Sequence, residues 1–98
     1  MSDEHGAQFS STYGHPIIET PNMDRLADQG VTFDANYCNS PLCIPSRASF
    51  MTGQYVSTNE VWDNTKPMPV DKLTWPYLLR NEGYDTVLNG KMHLIGPD

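Results

Sequence analysis

Residues 41–53 read PLCIPSRASFMTG. Pro45 suits the first turn of a helix, where its missing N–H costs nothing. The spacing predicts a helix over residues 46–51, and Gly53 is placed to end it. Cys43 then stands just upstream of a helix N-terminus, where backbone N–H groups without intrahelical partners attract anions. Arg47 follows one helical turn after Cys43, and its guanidinium fork matches a tetrahedral oxyanion.

The C-x-P-S-R core of this stretch, with Thr52-Gly53 after it, resembles the signature of the type I sulfatases. Two flanking stretches match the same family. Residues 1–6, MSDEHG, resemble the end of its first strand with the acidic metal ligands. Residues 90–94, GKMHL, resemble its G-K-x-H-L motif. The three motifs stand in the family's order. The resemblance covers essentially the whole chain, but only the N-terminal part of a family member. The ending GKMHLIGPD is most similar to the choline-sulfatase and phosphonate monoester hydrolase branch.

The resemblance implies an α/β fold: the N-terminal portion of an alkaline-phosphatase-like parallel-sheet sandwich, incomplete as it stands, with residues 1–98 as one partial sulfatase-like domain. It also implies hydrolysis of sulfuric esters. Cys43 would be oxidised to formylglycine, whose hydrate attacks sulfur. The metal positions are Asp3, Glu4 and the converted Cys43; the family usually has Asp where Glu4 stands. The metal implied is divalent, Ca2+ foremost, with Mg2+ or Mn2+ as alternatives. Arg47 would orient the nucleophile and offset its charge. Lys91 would stabilise the bound sulfate, and His93 would hold or deprotonate the hydrated aldehyde. The partners implied are a sulfate ester, either a small molecule or a sulfated glycan, and a formylglycine-generating or anaerobic sulfatase-maturing enzyme. One alternative is a phosphonate or phosphate ester hydrolase of the same superfamily. Another is a truncated chain without catalysis. The family's remaining metal and sulfate ligands fall downstream of the matched region, so the isolated chain is expected to be inactive.

Composition bounds these readings. Leu, Ile, Val and Phe total 19 of 98 residues, which is close to the roughly 20% threshold for a stable core. Part of a larger domain explains such a thin core better than a free-standing one. The net charge of −6 disfavours nonspecific binding to nucleic acid or anionic membranes. An anionic substrate would need local positive charge, which Arg47 and Lys91 can supply. No apolar run approaches the ~20 residues of a membrane span, and no signal peptide is visible, so the compartment stays open. Cys38 and Cys43 are the only cysteines. A buried Cys38 thiol, a Cys38–Cys43 disulfide, or a zinc site with His5 or His93 are the structural alternatives, the last on a weak spacing.

Taken in order, Asp3 and Glu4 are adjacent hard oxygen donors suited to calcium or magnesium. Residues 8–19 are polar, hold Gly14 and Pro16, and read as a loop; His15 belongs to that loop. Thr20 is an N-cap candidate, Pro21 the first helical residue and Gly30 the stop. Met23, Leu26 and Ala27 share a face and read as core. Residues 31–35 read as a short strand. Residues 54–71 are irregular, either a functional loop or a surface excursion, with Trp62 and Asp63 as candidates for a substrate mouth. A helix is predicted from about Thr74 to Asn81, because Pro76 is tolerable only in a first turn, with Gly83 after it. Residues 84–88 read as a strand. Helix, Gly and strand in that order point to a parallel sheet. Lys91 and His93 follow it, two apart and so on one side of an extended segment. There one can hold an anionic oxygen and the other exchange a proton. An unpaired sheet edge would favour self-association.

Overall fold

The computed structural model describes residues 1–94. It divides into two compact units, one spanning Met1–Asn36 and one beginning at Tyr37. Residues 95–98, the end of the GKMHLIGPD stretch on which the branch assignment leaned, lie outside the described residues.

In the N-terminal unit the predicted loop over residues 8–19 is more ordered than expected. It contains two 3-10 turns, Ala7–Phe9 and Ser11–Tyr13. Side-chain hydrogen bonds, which leave no periodic trace in a sequence, hold them. Ser11 Oγ accepts the Thr20 N–H at 2.8 Å and donates to Asp24 Oδ2 at 2.6 Å. Thr12 Oγ1 donates to Asp24 Oδ1 at 2.6 Å. The Ser11 hydroxyl first, and the Thr12 hydroxyl second, hold the Asp24 carboxyl below its ordinary range. His15 is a loop residue that organises its own turn, since its Nδ1 accepts the Ile17 and Ile18 N–H groups at 3.1 and 2.7 Å.

Helix α1, Pro21–Gln29, has the predicted bounds, with Thr20 as N-cap and Gly30 as C-cap. The Thr20 hydroxyl does not cap the helix; its Oγ1 accepts the Ser11 N–H at 3.1 Å instead. Met23 and Leu26, read as core, are 42% and 67% exposed. They line an open groove with Tyr13, Val31 and Phe33. The periodicity is real, but no layer covers that face within the described residues.

The second unit contains α2, Cys43–Thr52; α3, Val56–Asn59; and α4, Trp75–Asn81. Ile44, Ala48 and Met51 recur at helical spacing on α2 and are buried together with Val61 and Leu94; Met68 and Met92 pack against them. Gly53 ends α2 in the left-handed conformation, φ 68°, and its N–H donates to the Ser49 carbonyl at 2.9 Å. The stretch over residues 54–71 is not an excursion. It holds α3 and contributes Val56 and Val61 to the buried set. Asn59, 1% exposed, accepts the Val61 N–H on Oδ1 at 2.9 Å, and its Nδ2 donates toward Ser49 Oγ and the Gln54 carbonyl. Helix α4 starts after Thr74 and carries Pro76 in its first turn, as predicted. The Trp75 ring meets the Phe50 ring of α2 edge-on, at 6.1 Å.

The two predicted strands are not paired among the described residues. Among the described residues no segment is part of a ladder, and residues 31–35 and 84–88 are irregular. A strand exists through its pairing, because each backbone N–H and C=O must find a partner. Neither stretch pairs with another described segment in a ladder, and Val31, Phe33, Val87 and Leu88 stay exposed.

Candidate functional site

Helix α2 begins earlier than its sequence suggests. Cys43 is its first residue, not a residue upstream of it. The first intrahelical bond is Ser46 N–H to the Leu42 carbonyl, at 3.0 Å. Pro45 therefore sits at the last position whose N–H would have had no intrahelical acceptor, so proline fits there without loss. The Ile44 N–H, one residue past Cys43, is taken by Asn64 Oδ1 at 2.9 Å. That cap comes from a loop twenty residues on, which is why local signals missed the start. It also leaves less open N–H at this helix end than the sequence reading assumed.

Arg47 lies on the same helix and is 7% exposed. Its Nη1 donates to the Lys91 carbonyl at 2.8 Å and toward the Met92 carbonyl at 3.4 Å. One nitrogen of the guanidinium thus binds the C-x-P-S-R helix to the G-K-x-H-L segment and sets the plane of the fork. Leu94, in the same segment, enters the core beside Ile44 and Ala48, and its carbonyl accepts the Met68 N–H at 2.8 Å. Gly90 opens the segment at φ 99°, a conformation that suits only glycine.

Cys43, Arg47, Lys91 and His93 all belong to the second unit. The Cys43 thiol is partly exposed and Lys91 is exposed. His93 is half-buried, with φ 47°, in the left-handed region that non-glycine residues rarely enter. Its Nδ1 is buried and has no hydrogen-bond partner among the described residues. A buried ring nitrogen without a partner is costly unless something completes it. Strain and an unmet hydrogen bond at one residue are typical of a functional position.

Asp3 and Glu4 belong to the N-terminal unit and are exposed carboxylates. Glu4 is also left-handed, φ 52°. Among the described residues no three His, Cys, Asp or Glu side chains group closely enough to hold a metal ion.

The other sequence candidates are settled more simply. Both cysteines are free thiols, so the disulfide alternative fails, and Cys38 is exposed, so the buried-thiol alternative fails too. The Cys38 thiol donates to the Ser40 carbonyl at 3.0 Å. Trp62 is exposed. Asp63 accepts the Thr65 hydroxyl and N–H, and the hydroxyl bond foremost holds its carboxyl low. Asn64, which carried no spacing signal, reaches the start of α2 instead. No helix among the described residues is long and apolar enough to cross a membrane.

Comparison with known proteins gives consistent relatives. The family model described as Sulfatase matches residues 1–96. An N-acetylglucosamine-6-O-sulfatase of Bacteroides thetaiotaomicron is 44% identical over 97% of this chain and 17% of its own length. A choline-sulfatase of Rhizobium meliloti is 46% identical over 84% of this chain and 16% of its own. A solved structure of a protein in complex with its substrate D-glucosamine-2-N,6-O-disulfate superposes with a TM-score of 0.90. It is 43% identical, and the match covers 99% of this chain and 20% of that one. The chain thus spans about a fifth of the length of these relatives.

Proposed function

The chain belongs to the Sulfatase family, and from that premise we propose that it supplies the nucleophile and part of the anion-binding apparatus for hydrolysis of sulfate esters. The observation that carries this reading is the Arg47 bond to the Lys91 carbonyl, at 2.8 Å. It joins the helix that begins with Cys43 to the segment that bears Lys91 and His93. In a chain of net charge −6, that ties the backbone of the segment bearing Lys91 and His93 to the helix that begins with Cys43. Such a setting suits a bound anion.

The roles follow from the side chains. Cys43 is the residue that a maturation enzyme would convert to formylglycine, and the hydrated aldehyde, once made, is the nucleophile toward sulfur. Arg47, held by the 91–92 backbone, presents a plane fixed before substrate arrives, so little reorganisation is needed. Lys91 meets the sulfate oxygens as a compact cation. His93, with Nδ1 unpartnered, can hold a hydroxyl of the hydrated aldehyde or take its proton. Asp3 and Glu4 offer hard oxygen donors that fit a divalent cation, foremost Ca2+, as part of a larger ligand shell. When bound, such an ion polarises sulfate oxygens. In the whole catalytic domain residues 31–35 and 84–88 would pair as strands of an alkaline-phosphatase-like parallel sheet. The close superposition on a much longer relative supports that fold.

The substrate is a sulfate ester of a sugar or a small alcohol, as the names of the relatives suggest. The direct test is co-expression with a formylglycine-generating enzyme. Conversion of CH2SH to CHO is a two-electron oxidation in which the oxidant used by the maturation enzyme takes the electrons, water supplies the oxygen and sulfur leaves as H2S; it should lower the mass of the Cys43 peptide by about 18 Da. Cys43→Ala should abolish the change. A paired assay on an aryl sulfate and an aryl phosphonate, with the whole catalytic domain, then decides the ester class. An unconverted Cys43, or sulfate-ester turnover that survives Cys43→Ala, would overturn the assignment.

A further inference from the structure

We propose that Asn64 is a positioning residue for Cys43. The helix that carries the nucleophile starts on it, with Cys43 as the first helical residue and Ile44 as the second. A helix start leaves its first N–H groups without acceptors, and an unheld first turn frays. Here Pro45 has no N–H to hold, and the Leu42 N–H reaches Ser40 Oγ only at 3.4 Å. The strong tertiary contact is Asn64 Oδ1 with the Ile44 N–H, at 2.9 Å. It acts one peptide away from the Cys43 Cα, so it sets the direction in which the Cys43 side chain leaves the helix. The N-cap residue itself, Leu42, has no side chain able to do this.

The loop that carries Asn64 is anchored on both sides. Upstream, Val61 is buried in the core and its N–H is held by Asn59. Next to it, the Asp63 carboxylate accepts two bonds from Thr65 and fixes the turn. Downstream, the Met68 N–H binds the Leu94 carbonyl. Asn64 is therefore presented by a framed loop, and the same frame holds the Lys91–His93 segment. Helix start and anion-binding segment are registered to each other through it.

The inference rests on Cys43 as the reacting side chain, but its test does not need sulfate-ester turnover, so the two readings can fail separately. The experiment is amide hydrogen exchange of the chain by NMR, with the rate of Cys43 alkylation by iodoacetamide at fixed pH. In Asn64→Leu the Ile44 amide should exchange about fivefold to tenfold faster, the usual loss for a missing cap. Ala48 and Met51 amides should keep wild-type rates, and Cys43 alkylation should change. Asn64→Asp retains an acceptor oxygen in the same place and should restore Ile44 protection. An unchanged Ile44 rate overturns the proposal. So does an equal acceleration at Ile44, Ala48 and Met51, which would mean general destabilisation only. If Asn64→Leu does not fold, Asn64→Gln replaces it, since its amide oxygen sits one methylene farther out. Loss of Ile44 protection in Asn64→Gln with retention in Asn64→Asp supports the proposal, and equal protection in both overturns it.

Discussion

Replacing Arg47 by Met tests whether the guanidinium bond holds the second unit together. The side chain is 7% exposed, and Met keeps most of its apolar stem, so little packing is lost. The bond to the Lys91 carbonyl, at 2.8 Å, is charge-assisted. Such bonds contribute about 1.5–3 kcal/mol net. The Met92 contact at 3.4 Å lies near the limit of hydrogen bonding and is counted as nothing. Arg47→Met should therefore destabilise the unit by about 2 kcal/mol, leaving the Lys91 carbonyl without this donor. For a domain of this size that lowers Tm by roughly 8–16 °C. Urea melts followed by tryptophan fluorescence read the unit directly, because both tryptophans, Trp62 and Trp75, lie in it. Arg80→Met, at an exposed position near the end of α4, is the control and should stay within about 0.5 kcal/mol of wild type. Arg47→Lys should fall between the two, because an ammonium cannot reproduce the fork. Equal melts for Arg47→Met and Arg80→Met would refute the clamp, and with it the observation on which the proposed function rests.

Glu60 ends α3 at φ 61°, where a side chain is strained, so Glu60→Gly should raise the urea midpoint by about 0.5–1 kcal/mol equivalent. A lower midpoint would mean that the Glu60 side chain makes a contact worth more than the strain. Asp24 has a folded pKa below its unfolded one, because Ser11 and Thr12 donate to the carboxylate. Its contribution is fully present above about pH 4 and disappears as pH falls through the depressed folded value. Asp24→Asn should flatten the acid limb of stability between about pH 4 and that lower value; an unchanged limb refutes the linkage. Finally, the 98-residue chain alone should bind calcium weakly in a calorimetric titration and should not turn over an aryl sulfate. Calcium takes about six to eight oxygens, and Asp3 with Glu4 supplies too few. Tight binding with metal-dependent turnover lost in Cys43→Ala would show the ligand argument to be wrong.

What the sequence determined by itself is local. Thr20-Pro21 and Gly30 bound α1, Thr74, Pro76 and Gly83 bound α4, and Gly53 stops α2, because the proline ring fixes its own φ, Gly53 and Gly83 take up left-handed dihedral angles, and Gly30 leaves the helical region at φ −134°. The order of the three site motifs was equally legible. Lys91 and His93 were legible as candidates, but the bond that ties their segment to α2 was not. Tertiary structure decided the rest. Asn64 moves the start of α2 back to Cys43, Arg47 is turned onto the 91–92 backbone, and Asn59 is buried with its Oδ1 accepting the Val61 N–H. Each depends on a partner between two and forty-five residues away, in a place that no periodicity records. The strands went unpaired for the same reason in reverse. Residues 31–35 and 84–88 have the composition of strands, but a strand is made by a neighbour's N–H and C=O groups, and within residues 1–94 no segment pairs with them in a ladder.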